Sequence, residues 1–214
     1  MVTLKDIDNK LNGLIPEDEK ENARPFLCEG SPIDCEVFII GHNPGVSIYF
    51  CDCWSPDSGC DRIKWIKKYY DKCDTSGKRR SPTREKTEML IGEFNNRYKI
   101  LDTNICHKYS SELGELPKKD RENTKVCDYL IENIGPKLIF VHGKYAIEHL
   151  EQLTPKKERL PKDKLLSVEL YGKRTYIYAG YHLSRCWSYA GIKKLGQELL
   201  KWCETNLSKS NKRT

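Results

Sequence analysis

Short apolar runs alternate with segments of helical periodicity along most of this chain, and no other sequence feature constrains the fold as strongly. The runs are Val37–Ile40, Tyr98–Asp102, Lys137–Val141 and Thr175–Ala179, with a further candidate at Leu165–Leu170. Short, mostly apolar segments of this kind are typical of strands buried on both faces of a parallel sheet, with helices covering both faces. We predict an α/β fold, a three-layer α/β/α sandwich with a central, mainly parallel sheet of about four strands.

The chain of 214 residues is predicted to form a single domain spanning 1–214. Apolar residues at helical spacing predict an N-terminal helix within 1–15, and the basic tail 208–214 is expected to be frayed. The candidates Leu165–Leu170 and Thr175–Ala179 could pair as a hairpin or be successive strands, and the sequence leaves both arrangements open.

The charge balance favours an anionic partner, because 37 Lys and Arg against 31 Asp and Glu give a net charge of +6. Each cluster of cations is either a solvated loop or part of a basic face. The clusters are Lys78-Arg79-Arg80 with Arg84, Lys118-Lys119-Arg121, Lys156-Lys157-Arg159 and the tail cations Lys209, Lys212 and Arg213. No apolar run approaches the roughly 18 residues of a membrane helix, and the N-terminal segment lacks a signal-peptide core. We expect neither membrane association nor secretion, but a cytoplasmic, nucleoid-associated or nuclear location.

Four of the ten cysteines, Cys51, Cys53, Cys60 and Cys73, lie in one stretch of the chain. Without a signal peptide, reduced thiols are favoured over disulfides. Zinc or an iron–sulfur cluster is the open alternative, although the spacing matches neither paired C-x2-C zinc sites nor the common cluster motifs. The prediction is free thiols, with no metal and no cofactor.

Three polar segments follow predicted strands, at the edge where ligands bind in parallel sheets. They are Gly41-His42-Asn43-Pro44-Gly45, Thr103-Asn104-Ile105-Cys106-His107 and Gly180-Tyr181-His182-Leu183-Ser184-Arg185-Cys186-Trp187. In the first, Pro44 favours an extended Asn43 whose amide could bind a water or a sugar. In the second, Asn104 offers a donor and an acceptor side by side, which match the edge of a pyrimidine. Plain turn or capping roles are the alternatives for both.

The third segment combines a hydrogen-bond donor with residues suited to nucleic acid. His182 can donate to an oxygen that develops negative charge, and Ser184 can hold a phosphate. Arg185 and Trp187 are a cation and a flat ring that could fill a gap in a base stack. A structural histidine is the alternative interpretation of His182.

Together the three segments resemble the uracil-DNA glycosylase superfamily. Gly41–Gly45 is similar to the G-x-N-P-G first motif of its mismatch-specific and single-strand-selective branches, and Gly180–Trp187 is similar to the second motif, although Leu183 stands where that motif usually has Pro. Asn104 stands where the family has a pyrimidine-recognising Asn at a strand tip. The resemblance covers about residues 30–205.

The resemblance implies a monofunctional DNA base glycosylase that acts on an extruded uracil-like, mispaired or modified pyrimidine and leaves an abasic site. It implies that Asn43 holds the attacking water, that His182 stabilises the departing base, and that Asn104 binds the base. It further implies a stacking aromatic ring, for which Trp54 is preferred over Phe50 and Tyr49, with His42 as another base-binding candidate. The residues expected to contact the DNA strand are Ser184, Arg185 and Trp187. A basic loop that contains Lys78, Arg79 and Arg80 is expected to bind DNA as well.

DNA is therefore the predicted partner, single- or double-stranded, and the chain is predicted to act as a monomer. Two alternatives stay open: a nucleic-acid-binding member of the same fold without catalysis, and a small α/β hydrolase acting on nucleotides. The absence of G-x-G-x-x-G and G-x4-G-K-[ST] phosphate loops counts against the latter.

Overall fold

The computed structural model describes residues 2–46, 48–77, 79–110 and 116–207, which form a mixed α/β fold around a six-stranded sheet. In chain order the strands are β1 (Phe26–Leu27), β2 (Glu29–Gly30), β3 (Val37–Gly41), β4 (Trp54–Ser55), β5 (Gly59–Asp61), β6 (Ile100–Asn104), β7 (Leu138–His142), β8 (Leu165–Leu170) and β9 (Lys173–Gly180). The α-helices are α1 (Leu4–Leu14), α2 (Arg62–Ser76), α3 (Pro82–Glu93), α4 (Lys118–Arg121), α5 (Lys125–Ile134), α6 (Lys144–Leu153), α7 (Leu183–Cys186) and α8 (Tyr189–Asn206). Short 3-10 helices cover Glu17–Asn22, Pro32–Asp34 and Phe50–Asp52.

The large sheet has the strand order β1-β6-β3-β7-β9-β8. Its four inner strands, β6, β3, β7 and β9, are parallel, whereas the edge strands β1 and β8 run antiparallel to their neighbours. The sheet thus has six strands rather than the predicted four or so, because an antiparallel strand flanks the parallel strands at each edge. Strand β1 is too short to produce an apolar run of its own.

Strands β8 and β9 form a hairpin, which decides between the two arrangements that the sequence left open. Leu165 pairs with Tyr178 and Leu170 with Lys173, so the connection is Tyr171-Gly172. Both turn residues have positive φ angles, 49° and 73°, which suit the right-handed twist of a two-residue hairpin. A separate three-stranded sheet, β2-β5-β4, lies outside the large sheet and was not predicted.

Helices pack on both faces of the large sheet, since alternate residues of each inner strand enter two different clusters. On β3, Phe38 and Ile40 pack with residues of α5 and α6, whereas Val37 and Ile39 pack with residues of α3 and α8. All five residues of β3, β6 and β7 are buried, as expected for inner parallel strands. No helix in the described ranges is both long and apolar enough to cross a membrane.

Candidate functional site

The carboxyl ends of the four parallel strands meet at one edge of the sheet, and a cavity of about 350 Å³ opens there. We call it the strand-tip cavity. The predicted residues that line it are His42, Asn43, Asn104 and His182. Side chains that the sequence analysis had not assigned to the site also line it: Arg24, Trp65, Tyr69, Thr83, Arg84, Thr87, Asp102 and His142.

Gly41 lets the strand tips approach one another closely. A Cβ atom at Gly41 would come within 2.9 Å of Asn104 Oδ1 and 3.2 Å of His142 Nε2. The loop after Gly41 is also fastened to the chain after β6, because Ile105 N donates to Gly41 O at 3.0 Å and Cys106 N donates to His42 O at 2.8 Å. These contacts hold Asn104 and the G-x-N-P-G turn in one rigid unit.

The amide of Asn43 is fixed at its nitrogen. Nδ2 donates to the backbone oxygens of Ser110 at 3.2 Å and Pro44 at 3.3 Å. Ser110 N in turn donates to Pro44 O at 3.1 Å, so the turn and the 104–110 segment support one another. Because both donor contacts go to the backbone, the amide oxygen is the end of Asn43 that can accept a hydrogen bond from a ligand.

The hydrogen bonds of His182 determine which of its ring nitrogens carries the proton. Its Nδ1 accepts a hydrogen bond from the backbone N–H of Ser184 at 3.3 Å and lies 2.8 Å from Ser184 Oγ. A neutral ring that accepts at Nδ1 carries its proton on Nε2. Burial, followed by the charges of Arg185 and Lys86, lowers the pKa of His182. At neutral pH the residue is therefore a neutral Nε2–H donor.

Lys86 connects helix α3 to the segment that carries His182. Its Nζ donates to the backbone oxygen of Leu183 at 2.9 Å, although Lys86 is itself buried. This buried bond fixes the start of α7, on which Ser184 and Arg185 lie.

His142, at the end of β7, stands edge-on to His182 with the ring centroids 5.3 Å apart. Burial, and secondarily the neighbouring His182, lower the pKa of His142 to about 3. His142 is thus neutral, and its buried Nδ1 has no hydrogen-bond partner among the described residues.

One wall of the strand-tip cavity contains a buried ion cluster. Arg24 donates to Asp102 Oδ2 at 2.9 Å, and Arg84 donates to the same oxygen at 2.6 Å. Burial alone would raise the pKa of Asp102, but the two guanidinium groups outweigh it and hold the pKa below its usual value. Arg84 also pairs with Glu88 at 3.0 Å, and Glu88 pairs with Arg62. The sequence analysis had grouped Arg84 with the basic run 78–80, and the structure buries it instead because carboxylates compensate its charge.

Two rings of helix α2 line the same cavity. Trp65 and Tyr69 stack with an interplanar angle of 5°, and Trp65 lies 5.4 Å from the Arg24 guanidinium and 5.2 Å from that of Arg84. Both rings are almost fully buried, at 2% and 1% exposure. In the sequence, only the helical spacing of these two residues could have indicated them, and ordinary core residues share that spacing.

The three rings predicted to stack on a base lie elsewhere. Trp54 packs edge-on against Phe26 and donates from Nε1 to Asp8 at 2.7 Å, and Phe50 stacks with Trp54. Tyr49 is partly exposed beside Lys68 and Lys72. The structure does not bring these rings into the strand-tip cavity, because the segment after the first motif folds back toward α1 to complete the core.

A wider groove of about 1390 Å³ adjoins the cavity and shares His42, Asn43 and His182 with it. We call it the basic groove. Its charged lining consists of the cations Lys144, Arg159, Lys162 and Arg185 and the carboxylates Glu148 and Glu151. Two exposed rings line it as well: Tyr145 packs on His42 at 5.0 Å, and Lys162 Nζ lies 4.2 Å from the centre of Tyr181. Ser184, which the sequence analysis assigned to DNA contact, also lines this groove.

The other predicted DNA-binding residues have mixed locations. Trp187 is half-buried and does not line the groove, and its Nε1 donates to Tyr181 O at 3.0 Å. Arg79 and Arg80 are exposed before α3, where Arg80 stacks on Tyr70 at 4.2 Å. Lys78 and the tail 208–214 lie outside the described residues.

Within the described ranges, no three His, Cys, Asp or Glu side chains are grouped so as to hold a metal ion. The ten cysteines, all in these ranges, are unpaired thiols; Cys53, Cys60 and Cys73 are buried and Cys51 is exposed.

Comparison of the sequence with models of known protein families and with curated proteins finds no match to either.

Proposed function

We propose that this protein is a monofunctional DNA base glycosylase that hydrolyses the N-glycosidic bond of an extruded pyrimidine and leaves an abasic site. The observation that carries the proposal is the convergence of Asn43, Asn104 and His182 on one cavity at the carboxyl edge of the parallel sheet. Such edges are where parallel α/β sheets bind ligands. The sequence resemblance to the uracil-DNA glycosylase superfamily, with its three-layer fold, supports the same proposal.

In this proposal Asn43 positions the attacking water. With Nδ2 anchored to the backbone, the amide oxygen accepts a hydrogen bond from the water and directs its oxygen toward C1′ of the sugar. The new C–O bond replaces the C–N bond, whose electron pair leaves with the base as an anion, and the proton that the attacking water loses passes through solvent to that base anion. An amide is a weak base, which suits a sugar that has already developed cationic character.

His182 stabilises the departing base. Its neutral ring donates from Nε2 to the pyrimidine oxygen that gains negative charge, so the interaction is strongest in the transition state. Asn104 hydrogen-bonds to the base edge, and the buried rings of Trp65 and Tyr69 form part of the cavity wall behind it.

The basic groove is where the proposal puts the DNA strand. Arg159, Lys162 and Arg185, the last exposed on α7, contact phosphates there. DNA is then the partner of a monomer that works in the cytoplasm, at the nucleoid or in the nucleus.

The test is base release from labelled oligonucleotides that carry uracil, hypoxanthine, xanthine, thymine opposite guanine or hydroxymethylated pyrimidines, in single- and double-stranded form. Alkali then cleaves any abasic site. Asn43→Ala is expected to abolish release while DNA binding is kept, and Asn12→Ala, at an exposed position of α1, is the matched amide control. His182→Ala is expected to lower turnover by roughly 10²–10³, the scale for loss of one oxyanion donor.

Breaks that require alkali and vanish in Asn43→Ala would support the proposal and identify the base. DNA binding with no release across the panel would instead favour a binding protein, and absence of both would contradict any nucleic-acid function. Undiminished release by Asn43→Ala would remove the water-positioning role from that residue.

A further inference from the structure

Lys86 is a buried cation that lines neither the strand-tip cavity nor the basic groove, and it has no part in the hydrolysis derived above. We propose, on the basis of the proposed glycosylase function, that Lys86 is a positioning residue. Through the backbone oxygen of Leu183 it holds His182 in the orientation that donates to the departing base, and it thereby supplies the constraint that a proline at position 183 would impose.

The surroundings of Lys86 make its burial costly for the fold. Lys86 lies within α3 and is 6% exposed, and its Nζ donates to Leu183 O at 2.9 Å. Nζ also lies 5.5 Å from the centre of the Tyr189 ring. Neither the backbone oxygen nor the ring carries a full negative charge, whereas buried lysines are nearly always paired with one. A residue that breaks a folding rule in this way is expected to serve a function.

The backbone of His182 has a conformation that its own sequence context does not impose. Its φ of −59° and ψ of 128° are close to those of polyproline II. A proline at the next position restricts the preceding residue to such extended conformations. Leu183 imposes no such restriction, and it stands where the resembled second motif usually has Pro. The conformation of His182 therefore needs support from another part of the fold.

The hydrogen bond from Lys86 acts on the peptide group that also holds the ring of His182. This peptide group joins Leu183 to Ser184. Its oxygen accepts from Lys86 Nζ, and its N–H, at Ser184 N, donates to His182 Nδ1 at 3.3 Å. Because a peptide group is planar, fixing its oxygen also fixes the direction of its N–H. Helix α7 has only four residues, so its carbonyl oxygens depend on partners outside the helix.

Four titratable or charged groups surround the ring of His182. They are Lys86 from α3, Arg185 from α7, His142 from β7 and His42 from the segment after β3. Burial makes the largest contribution to the lowered pKa of His182, followed by the charges of Arg185 and Lys86. Loss of Lys86 therefore has two separable effects: it frees the peptide group that orients the ring, and it raises the pKa of His182.

The first variant is Lys86→Met, which keeps the length of the buried side chain and removes the donor and the charge. It is expected to lower kcat for base release about 10–100-fold, the scale for a misplaced catalytic group, and to leave the Kd for DNA unchanged. In 15N-labelled protein, the ring nitrogens of His182 are expected to lose the chemical shifts of a single tautomer. Lys193→Met, at an exposed position of α8, removes one charge elsewhere and is expected to change neither readout.

The second variant, Leu183→Pro, separates positioning from general packing. Leu183 is the first residue of α7, a position whose N–H has no partner within the helix and where proline is favoured. In the Lys86→Met background, Leu183→Pro is expected to raise kcat about fivefold or more, within the range of coupling in one network, and to restore the single tautomer. In the wild-type background it is expected to bring no gain, because Lys86 already supplies the constraint. The pKa of His182 is expected to stay raised in the double variant, since the charge is still absent.

Unchanged kcat and unchanged ring signals in Lys86→Met would overturn the inference and leave the glycosylase function standing. An equal effect of Leu183→Pro in both backgrounds would overturn it as well, because the two sites would then be independent. Absence of base release by the wild type across the whole panel would overturn the glycosylase function. The ring signals of His182 would still decide in that case whether Lys86 positions the histidine.

Discussion

At the scale of single residues, His142 makes the clearest prediction about stability. Its pKa is lowered to about 3, first by burial and then by His182, whereas an unfolded chain has a histidine pKa near 6.5. Between these values the unfolded state binds a proton that the folded state does not. This group therefore lowers the free energy of unfolding as the pH falls from about 6.5 toward 3, by about 1.4 kcal/mol per pH unit, and has no such effect above that window.

The measurement is urea denaturation at pH 7, 6 and 5 for the wild type and His142→Asn. We expect the wild type to lose stability on acidification and the variant to lose less. Burial also lowers the pKa of His42, His107 and His182, so a reduced pH dependence is expected to persist in the variant. Equal losses in the two proteins would contradict the assignment of this effect to His142.

The sequence allowed the prediction that Asn43, Asn104 and His182 lie at one edge of the sheet, because each comes at or shortly after the end of a recognisable buried strand. No comparable pattern in the sequence indicated which residues form the wall of the cavity. Arg24 and Arg84 are typical surface residues by type, and only the fold brings them to Asp102, which is far from both along the chain. A buried ion cluster depends on compensation between distant elements, which no local pattern records.

At the scale of elements, helix α2 shows how apolar spacing can indicate a helix without identifying its buried face. In α2 the apolar residues Ile63, Ile66, Tyr69 and Tyr70 recur at helical spacing, but Ile63 is 72% exposed. The buried residues of this helix are instead Trp65, Tyr69 and Cys73. The contacts of Trp65 with two distant arginines decide the orientation. Tertiary contacts of this kind, like the antiparallel edge strands and the small sheet, are not encoded in the apolar spacing of one segment.

The small sheet β2-β5-β4 makes a prediction at this scale. Gly59, at the start of β5, has a φ of +88°, and a Cβ there would come within 2.3 Å of the backbone oxygen of Gly30 on β2. Gly59→Ala combines backbone strain with a clash against main chain, so we expect a loss of about 1–3 kcal/mol in the free energy of unfolding. Gly13→Ala is the matched control, because nothing lies within 4 Å of that position in α1, and it is expected to be stabilising by about 0.5–1 kcal/mol. Urea denaturation measures both, and wild-type stability of Gly59→Ala would contradict the expectation.

At the scale of the whole molecule, the proposed function requires one surface to contact the DNA phosphates. The net charge of +6 predicts an anionic partner but not a face, since it depends only on composition. In the folded chain, Arg159, Lys162 and Arg185 come from two distant segments to line one groove beside the strand-tip cavity. Arg79 and Arg80 form a separate exposed patch.

Salt dependence tests this assignment, because each phosphate contact that a cation makes releases counterions and adds about 0.9 to the slope of log K against log salt for duplex DNA. Replacing Arg159, Lys162 and Arg185 by Ala is expected to weaken binding and to flatten the slope by about 2–3, measured by fluorescence anisotropy from about 50 to 200 mM salt. The matched control replaces the exposed Lys193, Lys194 and Lys201 of α8, which removes the same charge from another surface. If both triple variants flatten the slope equally, the effect comes from net charge alone, and the groove loses its assignment as the path of the strand.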